Sequence, residues 1–220
     1  MAEMFDCSDP AQRTAGIASA VNALKGGRLV VMPTDTVYGI GADAFDSDAV
    51  AALLAAKGRG RNMPVPVLVG SWHTIQGLVY AVPSTAKELI RAFWPGALSL
   101  VVHQAPSLQW DLGDAQGTVM LRMPLHPVAI ELLREVGPMA VSSANISGHP
   151  AAVTAAEARE QLGDLVEVYL DGGAAQAQAA STIVDLTGAQ PRVLREGPVT
   201  VDAIAGVLRV DAATLRPQPD

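Results

Sequence analysis

The feature that most constrains this chain is its rhythm. Short runs that are apolar almost throughout alternate with longer segments of helical periodicity. "RLVVM" (28–32), "VPVLV" (65–69), "ALSLVVH" (97–103), "TVMLRM" (118–123), "PMAVSS" (138–143) and "VEVYL" (166–170) are not patterned apolar–polar, as half-solvated strands would be. Strands that read this way are buried on both faces, which predicts an α/β sheet largely covered by helices. Helices are predicted between them. The first is Ala11 to Leu24, started by Ser8-Asp9-Pro10 and stopped by Gly26-Gly27. "DAVAALLAAK" is capped by Asp46 or Ser47 and ends at Gly58. "STAKELIRAFW", "HPVAIELLREVG", "TAAEAREQLG" and "TVDAIAGVLR" follow. "STIVDLT" and "RVLRE" read as a closing pair of strands, so the sheet is expected to be mixed, and "PQPD" as a frayed tail. With 220 residues, half of them hydrophobic, the chain can bury one sizeable core.

Charge and composition exclude several classes. A formal net charge of −7 does not attract nucleic acid over the whole surface, so any polyanion site must be a local basic pocket. The single cysteine, Cys7, leaves no disulfide framework and no cysteine-rich metal site, and fits a reducing cytoplasm. His73, His103, His126 and His149 have no metal-ligand spacing. "MAEMFDCSDP" is acidic and polar, unlike a signal peptide, and no run approaches the roughly 20 apolar residues of a membrane span.

Chemistry gathers where strands end. After Val30, Val31 and Met32 the chain turns at Pro33 into Thr34, Asp35, Thr36 and Tyr38, groups with no hydrophobic periodicity to hold them. "AVSSANISGHP" repeats the pattern with Ser142, Ser143, Asn145 and Ser147. In α/β sheets ligands collect outside the carboxyl ends of strands, so these groups are expected at a pocket mouth. "GIGADA" matches G-x-G-x-x-A, but a six-residue loop separates it from the strand and no acidic residue follows at the ribose distance, which argues against a dinucleotide site. "AAKGRGRNMP" is the densest positive cluster. It reads either as a helix end, with Lys57 favouring the dipole and Gly58 as left-handed cap, or as Lys57, Arg59 and Arg61 fanning toward a polyphosphate. Arg122 sits in an apolar strand and requires an anion, either an internal Asp or Glu or a substrate carboxylate. Arg195 stands just before a turn, where a surface arginine is the plain alternative. "GGAAQAQAAS" (172–181) lacks apolar anchors and reads as a mobile loop. No nucleophile motif and no carboxylate pair presents itself, so no residue is assigned as acid or base. Cations and donors without these suit a reaction in which the substrate supplies the nucleophile and the protein aligns the parts, such as nucleotidyl transfer.

Seven stretches, in order, resemble the YrdC-type threonylcarbamoyl-adenylate synthases: "PTDTVYGIGADA", "AAKGRGRNMP", "WPGALSLVV", "GTVMLRMPLHP", "SSANISGHPA", "STIVDL" and "LREG". The resemblance implies a single-domain twisted mixed sheet with a deep basic groove, the catalytic domain spanning 9–198 and a C-terminal helix and tail 199–220. It implies synthesis of threonylcarbamoyl-AMP from L-threonine, bicarbonate and ATP with release of pyrophosphate. The product serves threonylcarbamoyladenosine modification of tRNA next to the anticodon, with a transferase complex downstream, a weak contact to tRNA, and no membrane. The K-x-R and S-x-N signatures fall on Lys57, Arg59, Ser143 and Asn145. By the same resemblance Arg61, Thr118 and Arg195 lie along ATP, while Thr34, Ser181 and Arg122 hold threonine. Magnesium accompanies the ATP phosphates with no protein ligand, and no organic cofactor is implied. Leu68 stands where many relatives carry histidine, and the chain resembles the short bacterial form. An RNA-binding module of the same fold and a related carbamoyl-adenylating enzyme are the alternatives; few aromatics for base stacking count against the first. The loop before Ser181 is expected to act as a lid over the labile product.

Overall fold

A computed structural model describes residues 2–216. Ten strands form one mixed sheet: β1 (Glu3–Asp6), β2 (Val30–Met32), β3 (Gly39–Asp43), β4 (Val67–Leu68), β5 (Leu98–His103), β6 (Thr118–Arg122), β7 (Met139–Ser143), β8 (Val168–Asp171), β9 (Thr182–Asp185) and β10 (Arg192–Arg195). Their order across the sheet is β1-β8-β2-β3-β7-β4-β6-β5-β9-β10. The helices are α1 (Pro10–Lys25), α2 (Ser47–Ala56), α3 (Ser84–Phe93), α4 (Pro127–Val136), α5 (Ala155–Leu162), α6 (Val201–Leu208) and α7 (Ala212–Leu215). Asp9 caps α1 by accepting from the Gln12 amide at 2.8 Å, and Asp46 caps α2 from the amides of Asp48 and Ala49. "PQPD" lies outside the described residues.

The two faces of the sheet are unequally covered. Val31, Ile40, Val67, Leu100, Leu121 and Val184 point to one side and join a large apolar cluster with α2, α3, α5 and α6. Strand periodicity sends Met32, Val141, Leu68 and Leu170 to the other side, where they pack on Ile17 and Leu24 of α1 and Leu132 and Leu133 of α4. Those two helices shield only the β1-to-β4 half. Beyond it the second face of β6, β5 and β9 presents Met120, Arg122, Ser99 and Ile183 to an open cavity.

Two strands were not legible. β1 looks polar in sequence, yet pairs parallel with β8 from Glu3↔Val168 to Asp6↔Asp171. β3 is "GIGAD", which lies in the stretch read as polar loop, and it pairs antiparallel with both β2 and β7. The glycines are steric: a Cβ at Gly39 would stand 2.7 Å from a Val141 methyl. The sheet and core extend past 9–198 at both ends, since β1 is a strand of it and Val201, Ile204 and Ala205 of α6 are in the main cluster.

Candidate active site

The open half of the sheet floors a cavity of about 220 Å³, walled by Thr34, Thr36, Arg59, Arg122, Ser143, Ser181 and Arg195, among others. Each polar wall residue arrives by a local device. Thr34 follows β2 beyond Pro33; its hydroxyl donates to the Val37 carbonyl at 2.6 Å and pairs with Thr36 at 2.9 Å, fixing the loop. Ser142 and Ser143 end β7. Ser181 leads into β9, and its hydroxyl pairs at 2.9 Å with the buried Ser99 of β5. Arg195 reaches the cavity through a bulge: Val193 opposes Val184, but Arg195 opposes Ile183. The extra residue, Leu194, moves Arg195 off the core face that Val193 and Val184 share and onto the cavity face.

Arg122 finds an internal partner. Its guanidinium donates to Asp35 Oδ1 at 2.6 Å, to the Thr36 hydroxyl at 2.8 Å and to the Gly96 carbonyl at 2.9 Å. Asp35 Oδ1 also accepts from the Leu125 amide at 2.8 Å. Both side chains are more than nine-tenths buried. Burial lowers the Arg122 pKa while Asp35 opposes that shift. Three of five guanidinium N–H groups are used, which leaves two for a ligand.

Arg59 and Arg195 are held differently. Arg195 donates to the Ser181 carbonyl at 2.9 Å and its hydroxyl at 3.3 Å. Arg59 donates to Ser142 Oγ at 3.2 Å and the Pro64 carbonyl at 3.3 Å, and its buried Nε has no partner among the described residues. Neither forms an ion pair among the described residues, and burial lowers the pKa of both.

Lys57, Arg61, Thr118 and Asn145 lie outside the lining. Lys57 caps α2, with Gly58 left-handed after it at φ +59°, as the helix-end reading expects. Lys57 is 2 % exposed, and its ammonium donates to the carbonyls of Ser143 and Asn145 and to Asn145 Oδ1. The Lys57 carbonyl accepts from the Ser147 amide at 2.8 Å. Lys57 thus tethers the loop after β7, and Asn145 closes that loop by donating to Ile146 and His149 carbonyls. Burial, then the neighbouring Arg59, pushes the Lys57 pKa down to about 8. Arg61 is turned to an acidic loop, paired with both oxygens of Asp111 at 2.9 and 2.7 Å and with Asp114 at 3.6 Å. Thr118 donates to the Ala115 carbonyl. Leu68 sits in register with Arg122 and gives the cavity an apolar wall there.

Sequence reasoning did not single out Asp35 as the Arg122 partner, nor Ser99. The first needs the contact between the loop after β2 and the end of β6. The second had as its only signal one serine in an otherwise apolar strand.

The loop from 172 to 180 begins under control of Tyr38, whose hydroxyl donates to the Gly173 carbonyl at 2.6 Å. The amide of Ala177 donates to the Asp35 carbonyl, residues 176–180 are exposed, and Ala180 touches the cavity. Among the described residues no Asp or Glu lines the cavity.

The cavity thus sets two arginines, without a carboxylate partner among the described residues, beside strand-end hydroxyls on an α/β sheet. The family model Sua5_yciO_yrdC, which carries the description "Telomere recombination", matches residues 22–197, and the chain belongs to that family. It is 79% identical over 215 residues to a protein of Mycobacterium tuberculosis named "Putative threonylcarbamoyl-AMP synthase", covering 98% of this chain and 99% of that one. It is 36% identical to the Bacillus subtilis threonylcarbamoyl-AMP synthase, over 89% of this chain and 58% of that one. Among solved structures, Pyrococcus abyssi Sua5 complexed with L-threonine superimposes with a TM-score of 0.87 at 32% identity, over 94% of this chain and 61% of that one. The present chain spans about three fifths of that structure's length. Escherichia coli YciO, at 24% identity and TM-score 0.82, has the same fold over its whole length. "GIGADA" is therefore the strand β3 of this fold and not a dinucleotide turn.

Proposed function

We propose that the chain is a threonylcarbamoyl-AMP synthase that joins L-threonine, bicarbonate and ATP and releases pyrophosphate, supplying tRNA modification in the cytoplasm. The observation that carries this reading is the cavity itself. Arg59 and Arg195 bring positive charge with no carboxylate partner among the described residues to a cavity that Thr34, Ser143 and Ser181 also line, in a chain closely similar to proteins of that name. Threonine would lie by Thr34, Ser181 and the two unused N–H groups of Arg122. The triphosphate would meet Arg59, Arg195 and the hydroxyl of Ser143, with magnesium on its phosphates. Lys57 and Asn145 would act on ATP by holding the Ser143 loop in shape, or directly after exchanging one internal bond for a phosphate oxygen. Arg61 would reach the nucleotide by leaving Asp111 and Asp114. The substrates supply the nucleophile, and the fixed cations stabilise charge on the phosphates as pyrophosphate departs. Residues 172–180 would close over the adenylate and exclude water. Among the described residues no helix is long and apolar enough to cross a membrane.

The test is pyrophosphate release by the purified chain without RNA. Release is expected to require ATP, threonine and bicarbonate together. Release that ignores threonine, or none at all under turnover conditions, would sink the assignment.

A further inference from the structure

A second concavity lies away from the reaction cavity, against α3. It encloses about 470 Å³, within the range of small-molecule sites. Its floor is apolar: Ile75, Val82 and Ile90 come up from the main core. Two indoles border it. Trp94 is held by a 2.8 Å bond from its ring N–H to the Leu98 carbonyl. Trp72, on a short 3-10 helix, is 48 % exposed and stacks on His73 with ring centroids 3.7 Å apart. The exposed Trp72 ring thus adjoins an apolar floor and a second indole, so it is part of a concave apolar surface and does not stand alone.

The rim carries charge. Lys87 and Arg91 lie four residues apart on α3, hence on one face, and both border the cleft. Neither has a carboxylate within ion-pair distance among the described residues. In a chain of net charge −7, two cations border these indoles with no ion pair among the described residues, and Glu88, between them in sequence on α3, does not line the cleft. Gln76 adds an amide at the edge. Ring faces, an apolar floor and two cations on one side together complement a flat molecule with an anionic end.

We propose that this cleft is a binding site for a small organic anion with a flat ring body, such as a ring carboxylate or ring phosphate. The ring lies over Ile75 and Ile90 against the indoles, and the anion meets Lys87 and Arg91. The site is separate from the reaction cavity, with which it shares no lining residue.

Anilinonaphthalene sulfonate has this chemistry and fluoresces on binding. One saturable site per folded chain is expected, undisturbed by ATP with threonine. Lys87→Glu with Arg91→Glu should weaken it at least tenfold, and Trp72→Ala severalfold. The uncharged analogue phenylnaphthylamine should bind at least fivefold more weakly than the sulfonate. Circular dichroism and pyrophosphate release equal to the parent would establish that the variants are folded. Three results would overturn the proposal: no saturable binding to the parent chain, as on a face that docks only another protein; equal affinity in the double charge variant; or displacement of the probe by ATP and threonine.

Discussion

Arg122 and Arg195 line one cavity from the same face of the sheet, and they are held in opposite ways. Arg122 is buried, ion-paired to Asp35 and anchored on two further oxygens. Among the described residues Arg195 is bonded only to Ser181. The first arrangement fixes geometry and cancels charge, and the second leaves charge in place for a ligand. A paired arginine can still direct its free N–H groups at a carboxylate, but its positive field is largely spent on Asp35. The proposed function therefore predicts that anion affinity in this cavity rests first on Arg195 and Arg59, and orientation first on Arg122.

The largest expected effect breaks the paired side. Arg122→Ala leaves the Asp35 carboxylate buried without its cation, which should cost about 3–5 kcal/mol of stability. Asp35→Asn should be costly for the mirrored reason. Removing both partners together should cost less than the sum, a coupling that urea denaturation of the four proteins measures. Independent, additive losses would mean the pair does not act as a unit. Arg122→Ala thus reports on the fold before it reports on threonine; Arg122→Lys, which keeps the charge, is the better probe of threonine binding.

Next comes the unpaired side. Arg195→Ala and Arg59→Ala remove no ion pair, so stability should change by less than about 1 kcal/mol. Loss of one fixed cation facing the phosphates should instead slow pyrophosphate release on the order of a hundredfold. Variants that melt early but turn over normally would reverse the comparison.

This difference was only half legible in the sequence. A cation in an apolar strand announces that Arg122 needs an anion, but not which one. Asp35 is 87 residues away, and the pair exists only because the loop after β2 lies across the end of β6. Arg195 was legible as a residue and not as a wall, because its side of the sheet depends on a bulge that shifts register by one. The covered strands and capped helices were readable because burial and capping leave local signals. β3 was not, since glycines chosen for close packing against Val141 look like loop glycines. In "KGRGR" Gly58 follows the helix end in the left-handed conformation and Lys57 ties down the loop after β7, while of the three cations Arg59 alone lines the cavity and Arg61 pairs with Asp111.

Lys57 sharpens the comparison through pH. Its folded pKa of about 8 lies below the ordinary 10.5. Below pH 8 it is charged in both states, and the cost of burying the charge is fully present. Between about 8 and 10.5 the folded group gives up its proton while the unfolded one keeps it, so this group makes stability rise with pH in that window. Activity should move the other way, falling severalfold as the ammonium loses a donor to the Ser143–Asn145 loop. ATP, placing negative charge nearby, should raise the pKa and take up protons on binding near pH 8.5. Calorimetry in buffers of different ionisation enthalpy detects that uptake; its absence, with activity flat through pH 8, would separate Lys57 from the nucleotide.

The smallest effect belongs to Ser143, and it tests whether the uncharged wall matters beyond its backbone. The Ser143 carbonyl accepts from Lys57, whereas its hydroxyl has no protein partner among the described residues and faces the cavity. Ser143→Ala keeps the carbonyl, the tether and β7, so stability should shift by less than about 0.5 kcal/mol. If the hydroxyl donates to a phosphate oxygen, its loss removes one hydrogen bond from a neutral donor to a charged acceptor, about 1.5–3 kcal/mol, or roughly tenfold to a hundredfold. The effect should sit at the low end, because water can enter the vacated space and partly replace the donor. It should appear in kcat/KM for ATP and leave the threonine KM unchanged. An equal rise in the threonine KM would move Ser143 to the threonine side of the cavity, and with it the boundary between orienting and charge-bearing walls.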